Sequence, residues 1–136
     1  MRTISKTAAK TLEALTANLA VGEGRKIDNS EGSFMAVYVN RLSERTFSVS
    51  HYYEQNGDLC PDPDMVFVKV PHTGAWLPIS ITQWCGHRVA LELDANDGIT
   101  GFRPRALADM VSFTGTWMDN IKRQQGGLRA LRKAAA

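Results

Sequence analysis

The stretch that decides the fold runs from Thr46 to Val70: TFSVSHYYEQNGDLCPDPDMVFVKV. From Thr46 to Gln55, β-branched and aromatic residues follow a two-residue period. Phe47, Val49, His51 and Tyr53 therefore point to one side of an extended chain, and Thr46, Ser48, Ser50 and Tyr52 to the other. Asn56-Gly57 then supplies the two residues that most readily take the positive φ angles of a tight hairpin turn. Asp58 is placed to accept hydrogen bonds from backbone N–H groups, and Asp62-Pro63 resets the chain before MVFVKV, Met65 to Val70, resumes the alternation. We expect a structural turn at the end of a strand, framed by His51, Asn56, Gly57 and Pro63. His51 shares the apolar side of its strand, which predicts a hydrogen-bonded core histidine rather than a ligand or base.

The same period appears on both sides of this stretch, in FMAVYVNRL (Phe34 to Leu42), WLPISITQW (Trp76 to Trp84) and HRVALELD (His87 to Asp94). No segment between these strands is long enough for a crossover helix, so they predict an antiparallel meander of five strands. Before them, Ile4, Ala8, Leu12, Leu15 and Leu19 fall on one face of a helix over Thr3 to Val21, stopped by Gly22 and Gly24. After them, a loop from Ala95 to Arg105 leads to a second helical pattern. Leu107, Met110, Val111, Trp117, Met118 and Ile121 face inward, with Gly115 a weak point where the helix divides. Gly126-Gly127 ends it, and LRALRKAAA, with only two leucines to bury, is expected to fray. The predicted class is α+β: a five-stranded antiparallel meander with N- and C-terminal helices packed on one face, α-β-β-β-β-β-α. Residues 1–127 form a single domain, and 128–136 a basic, flexible tail.

A chain of 136 residues is of ordinary single-domain size and buries a core without disulfides. Cys60 and Cys85 lack metal-type spacing and no apolar leader precedes them, which predicts reduced thiols and a cytoplasmic protein. The net charge of +2 is unevenly spread, at +3 over residues 1–26, −6 over 27–99 and +5 over 100–136. Single-sign regions of this kind steer association with partners of opposite charge.

The chemistry-bearing residues favour binding over catalysis. Glu54, Asp58, Asp62 and Asp64, with His51 as a nitrogen donor, are the set a metal-dependent enzyme would use, yet only Asp62 and Asp64 alternate as a calcium loop requires. Pro63-Asp64 followed by Lys69 has the outline of a metal-dependent nuclease motif, but the position two before Lys69 is Phe67 rather than a carboxylate, so Lys69 is expected to face outward from its strand. Cys85 and His87 stand two apart, which would place them on one side of a strand. Gly22-Glu23-Gly24 follows a helix and lacks a third glycine, so it is no phosphate loop. Tyr38, Tyr52, Trp76 and Trp84 would make a stacking platform for single-stranded nucleic acid if they shared the open sheet face, with Arg41, Arg45 and Arg88 on phosphates. In the tail, Arg129, Arg132 and Lys133 are a weak electrostatic handle for nucleic acid.

HYYEQNGDLCPDPDMVF, preceded by FMAVYVNRL and followed far downstream by WMDNIKRQQG, resembles an uncharacterised family of short proteins of bacterial plasmids, integrative elements and phages. The pattern is carried by the HYYEQNGDL-x-x-DP segment together with Trp117, Asn120, Gln125 and Gly126. The resemblance implies a mobile-element setting and brings no activity with it. Together with the lack of a catalytic constellation, it leads us to expect a non-enzymatic accessory protein without cofactor or metal. Its expected partner is a protein or nucleoprotein complex of the bacterial host, as for an anti-defence inhibitor of the anti-CRISPR type. The expected contacts are Glu44, Glu54, Asp58, Asp62 and Asp64.

Overall fold

The computed structural model describes all residues, 1–136. Helix α1 (Lys6–Thr16) begins where the Ser5 hydroxyl accepts from the Ala8 N–H at 3.2 Å, satisfying one of the donors a helix start leaves free. It stops short of the expected Val21, because Ala17 turns extended at ψ 141° and Asn18 follows at φ 61°, and the chain turns into a strand the sequence pattern did not reveal, β1 (Gly24–Ile27). Gly24, read above as a helix stop, lies in this strand for a steric reason. A Cβ there would collide with the Asn40 side chain.

Strands β2 (Val37–Arg41), β3 (Thr46–Gln55), β4 (Asp58–Lys69), β5 (Trp76–Gln83) and β6 (Gly86–Val89) follow, and with β1 they form one antiparallel sheet in simple sequence order. The meander thus has six strands rather than five. HRVALELD is not one strand: at Ala90 the chain leaves the sheet, its N–H donating to Ile79 O at 2.7 Å and its carbonyl accepting from Arg103 N–H at 2.8 Å. Beyond it, β7 (Leu91–Leu93), from the end of that expected strand, pairs with β8 (Ile99–Phe102), which lies inside the span expected as loop. Asp94 closes that hairpin by accepting from the Asn96 and Gly98 N–H groups at 2.8 and 2.9 Å, and these bonds lower its pKa below the ordinary carboxylate value.

Helix α2 (Pro104–Gln124) is continuous through Gly115, so the expected division does not occur. The register sorts the sheet into two faces. Arg25, Val39, Val49, Met65, Ile81 and Arg88 stand in one cross-strand row, toward the helices: Arg25 reaches Leu15 O on α1, Met65 lies 3.8 Å from Thr114 Oγ1 of α2, and Arg88 pairs with Asp109 of α2 at 2.8 Å. The neighbouring row of Lys26, Tyr38, Ser50, Asp64, Thr82 and His87 faces away from them. The core between helices and sheet comprises 25 buried apolar residues.

Residues 128–136 are not a flexible tail. Leu128–Ala134 form helix α3, which packs on α1, with the Leu131 side chain 0% exposed and Ala135 O accepting from Asn18 Nδ2 at 3.1 Å. Two leucines suffice because α1 already provides a surface to receive them.

Candidate functional site: an acidic two-stranded arm

β2 pairs with β3 only from Phe47 to Ser50, and β5 pairs with β4 only from Asp64 onward. Between those limits β3 and β4 have no partner but each other, so Tyr52 to Pro61 projects beyond the sheet as a two-stranded arm. Asn56 and Gly57, at φ 53° and 86°, make the expected turn at its tip, with Gln55 and Asp58 as the closing pair. β4 begins at this turn, seven residues before Met65, so the acidic segment is strand rather than loop.

The root of the arm is set by His51. Its register partner positions on β4 are two residues, Asp62 and Pro63, which form a bulge opposite it. The imidazole is 4% exposed and packs edge-on against Trp117 of α2, with ring centroids 5.5 Å apart and planes at 85°. Trp117 Nε1–H donates to His51 Nδ1 at 3.3 Å, which places the ring proton on Nε2. That Nε2 is the one buried side-chain polar atom without a partner. The expected core histidine is therefore present but only half satisfied. Burial lowers its pKa below the usual value, against a smaller opposing pull from Asp62. On the opposite face Tyr52 meets Tyr38 edge to face, centroids 5.5 Å apart.

The arm and its root carry four carboxylates and no lysine or arginine. Glu54 and Asp58 are exposed near the tip, beside Leu59 at 69% exposure. Asp62 and Asp64 are half-buried at the root, Asp64 accepting from Ser50 Oγ at 2.8 Å. These acids do not converge. Asp58 and Asp64 are separated by about 20 Å along the strand at its usual rise of about 3.3 Å per residue, and nowhere do three or more His, Cys, Asp or Glu side chains meet at metal-binding distances. Glu44, expected among the contacts, lies at the far end of β3, where its carbonyl accepts from Arg41 Nη2 at 2.6 Å.

Other expected groupings are taken apart. Only Tyr38 and Tyr52 share the open face. Trp76 is buried, its Nε1–H donating to Glu13 at 3.0 Å, and Trp84 sits in the turn between β5 and β6. Arg41 and Arg88 point to the helix side, Arg41 lying over the Phe47 ring at 5.5 Å. Lys69 stands on the helix side of the sheet, its side chain 40% exposed, and pairs with Glu13 of α1 at 2.8 Å. Cys85 lies in the β5–β6 turn, while His87 Nδ1 is 2.7 Å from Thr82 Oγ1, and both cysteines are free thiols. Asn120 accepts from Arg123 Nη2 at 2.7 Å on the surface of α2.

A clamp that sequence reasoning missed secures the C-terminal end of α2. Gln125 Oε1 accepts from Asn29 N–H at 2.7 Å, its carbonyl from Asn29 Nδ2 at 3.0 Å, and its Nε2–H donates to Met35 O at 3.3 Å. The available signal was the Gln-Gly pair itself, since Gly126, at φ 89°, lets the chain leave the helix just after a side chain that is 1% exposed.

A family model described as a domain of unknown function (DUF6908) matches residues 3–127. The chain belongs to that family. In this DUF6908 protein the matched span covers the arm, the His51–Trp117 contact and the Gln125 clamp, while α3 lies just beyond it. No curated protein and no solved structure matches the chain. No helix is long and apolar enough to cross a membrane.

Proposed function

We propose that the protein works by binding, with the β3–β4 arm as its docking element and a protein or nucleoprotein complex as its partner. The arm itself carries this reading. An isolated two-stranded ribbon is marginal in water, and this one places Leu59 in solvent, where it adds nothing to the core. Glu54 and Asp58 flank that leucine with uncompensated charge. An apolar side chain ringed by carboxylates suits a basic surface with an apolar pocket, with charge giving rate and orientation and the leucine giving residence. The mobile-element setting that the resemblance implies makes a nucleic-acid-handling complex of the host a fitting partner, an anti-defence inhibitor being one case.

The test is affinity capture from a bacterial host followed by titration against the complex recovered. Saturation is expected near one protein per complex, with affinity falling about tenfold or more for Leu59→Ser and for Glu54→Gln with Asp58→Asn. Turnover at substoichiometric dose would refute the reading, as would full affinity in the folded variants.

A further inference from the structure

A second surface, at the opposite end of β3, has the reverse character. Along one side of α1 lies a groove of about 540 Å³, floored by Ala9, Ala14, Ala17 and Gly74 and rimmed by Lys6, Lys10 and Arg132. A neighbouring depression of about 420 Å³ contains Arg41, Arg45 and Lys69. The two adjoin at Glu13, Ala17 and Gly74, and together they make up the trough. Its cations come from four separate parts of the chain, the first helix, the β2–β3 hairpin, β4 and α3.

The acids in the trough do not neutralise it. Glu13 is engaged by Lys69 at 2.8 Å and by the Trp76 indole N–H at 3.0 Å, which leaves Glu44 as the other carboxylate of the lining. Lys6, Lys10, Arg45 and Arg132 have no carboxylate within salt-bridge distance, so four unpaired cations gather on this one surface. None of the large apolar side chains exposed on this protein lines the trough. An acidic peptide would need such anchors for residence. A polyanion of high linear charge density does not, because it gains affinity from counterion release alone. The floor of alanine and glycine lets a ligand's backbone lie close to the cations.

We propose that this trough binds the sugar–phosphate backbone of nucleic acid without reading its bases. The lining holds no exposed Phe, Tyr or Trp ring, and His72 is its one exposed ring, so base stacking is at most a minor source of affinity. The site is independent of the acidic arm, and failure of either leaves the other standing.

The experiment is fluorescence anisotropy on the full chain with labelled duplex DNA, single-stranded DNA of mixed sequence and polyglutamate, over a range of salt. Binding to at least one of the DNA probes is expected, alike for unrelated sequences. Lys6→Gln, Lys10→Gln and Arg132→Gln together should weaken it at least tenfold and reduce the slope of log affinity against log salt by about two to three. The single reversal Lys10→Glu, on an exposed helix position, should weaken it in the same direction with an unchanged melting temperature. Glu54→Gln with Asp58→Asn should leave it intact. No DNA binding at low salt, an unaltered affinity in the triple and Lys10→Glu variants, or tighter binding of polyglutamate than of DNA would each overturn the proposal.

Discussion

His51 carries the clearest consequence at the scale of a single residue. Its neutral form is favoured in the folded chain, because burial lowers its pKa. Above about pH 6.5, the ordinary histidine value, folded and unfolded chains are both neutral there and the group makes no pH-dependent contribution. As the pH falls through 6.5 toward the lower folded value, the unfolded chain takes a proton that the folded chain resists, so stability drops. Denaturant melts between pH 7.5 and 5 should show this loss, and His51→Gln should flatten it. The same substitution should cost about 1–3 kcal/mol at pH 7 if it leaves the Trp117 indole N–H unpaired. At the C-terminal end of α2, Gln125→Ala removes the acceptor of Asn29 N–H and the donor to Met35 O, and we expect a loss of about 2–4 kcal/mol in the same assay. The turn residues Asn56 and Gly57 were legible in the sequence because their role is local, a pair of φ angles. The roles of His51 and Gln125 are set by residues 66 and 96 positions away, which no periodicity encodes.

At the scale of elements, the long ones were readable and the short ones were not. The first helix, the second strand of the predicted meander and the long C-terminal helix have enough turns or alternations to show a period. β1 and β8, of four residues each, do not, and exist because a longer neighbour offers them an edge. α3 was misjudged for a related reason: counting its leucines ignores the surface waiting for them. Leu131→Ala should therefore cost about 2–4 kcal/mol of stability, like other fully buried leucines. Thermal melts of that variant would check it, and an unchanged transition would mean that the helix is undocked in solution. Leu59→Ser, at an exposed position of the arm away from its turn, should shift stability by no more than about 0.5 kcal/mol.

Across the whole molecule, charge is arranged by folding rather than by position along the chain. The net −6 of residues 27–99 suggested an acidic middle. In the fold, Arg41, Arg45 and Lys69 of that same span are carried to the trough, while Glu54, Asp58, Asp62 and Asp64 lie on the arm and its root. The two ends of β3 are about 30 Å apart at a rise of about 3.3 Å per residue, so opposite charges sit well beyond the screening length of about 8 Å at physiological salt. Partner binding through the arm and polyanion binding through the trough should consequently be additive: the arm variant and the Lys6, Lys10 and Arg132 variant, combined, should show the sum of their separate effects on each ligand.

The pairing within the arm also governs what it refuses. In a hairpin closed by Gln55 and Asp58, the pairs alternate in bonding, so the peptide groups of Leu59 and Pro61 turn away from β3 toward the bare flank of β4. Proline has no N–H to offer there, and carboxylates stand on either side of it at Asp58 and Asp62. A strand from a second molecule approaching that flank finds one donor missing and like charge facing like, which disfavours self-templating along β4. Pro61→Val would restore the donor, and the arm would then be the place where concentrated protein begins to self-associate, as light scattering would reveal.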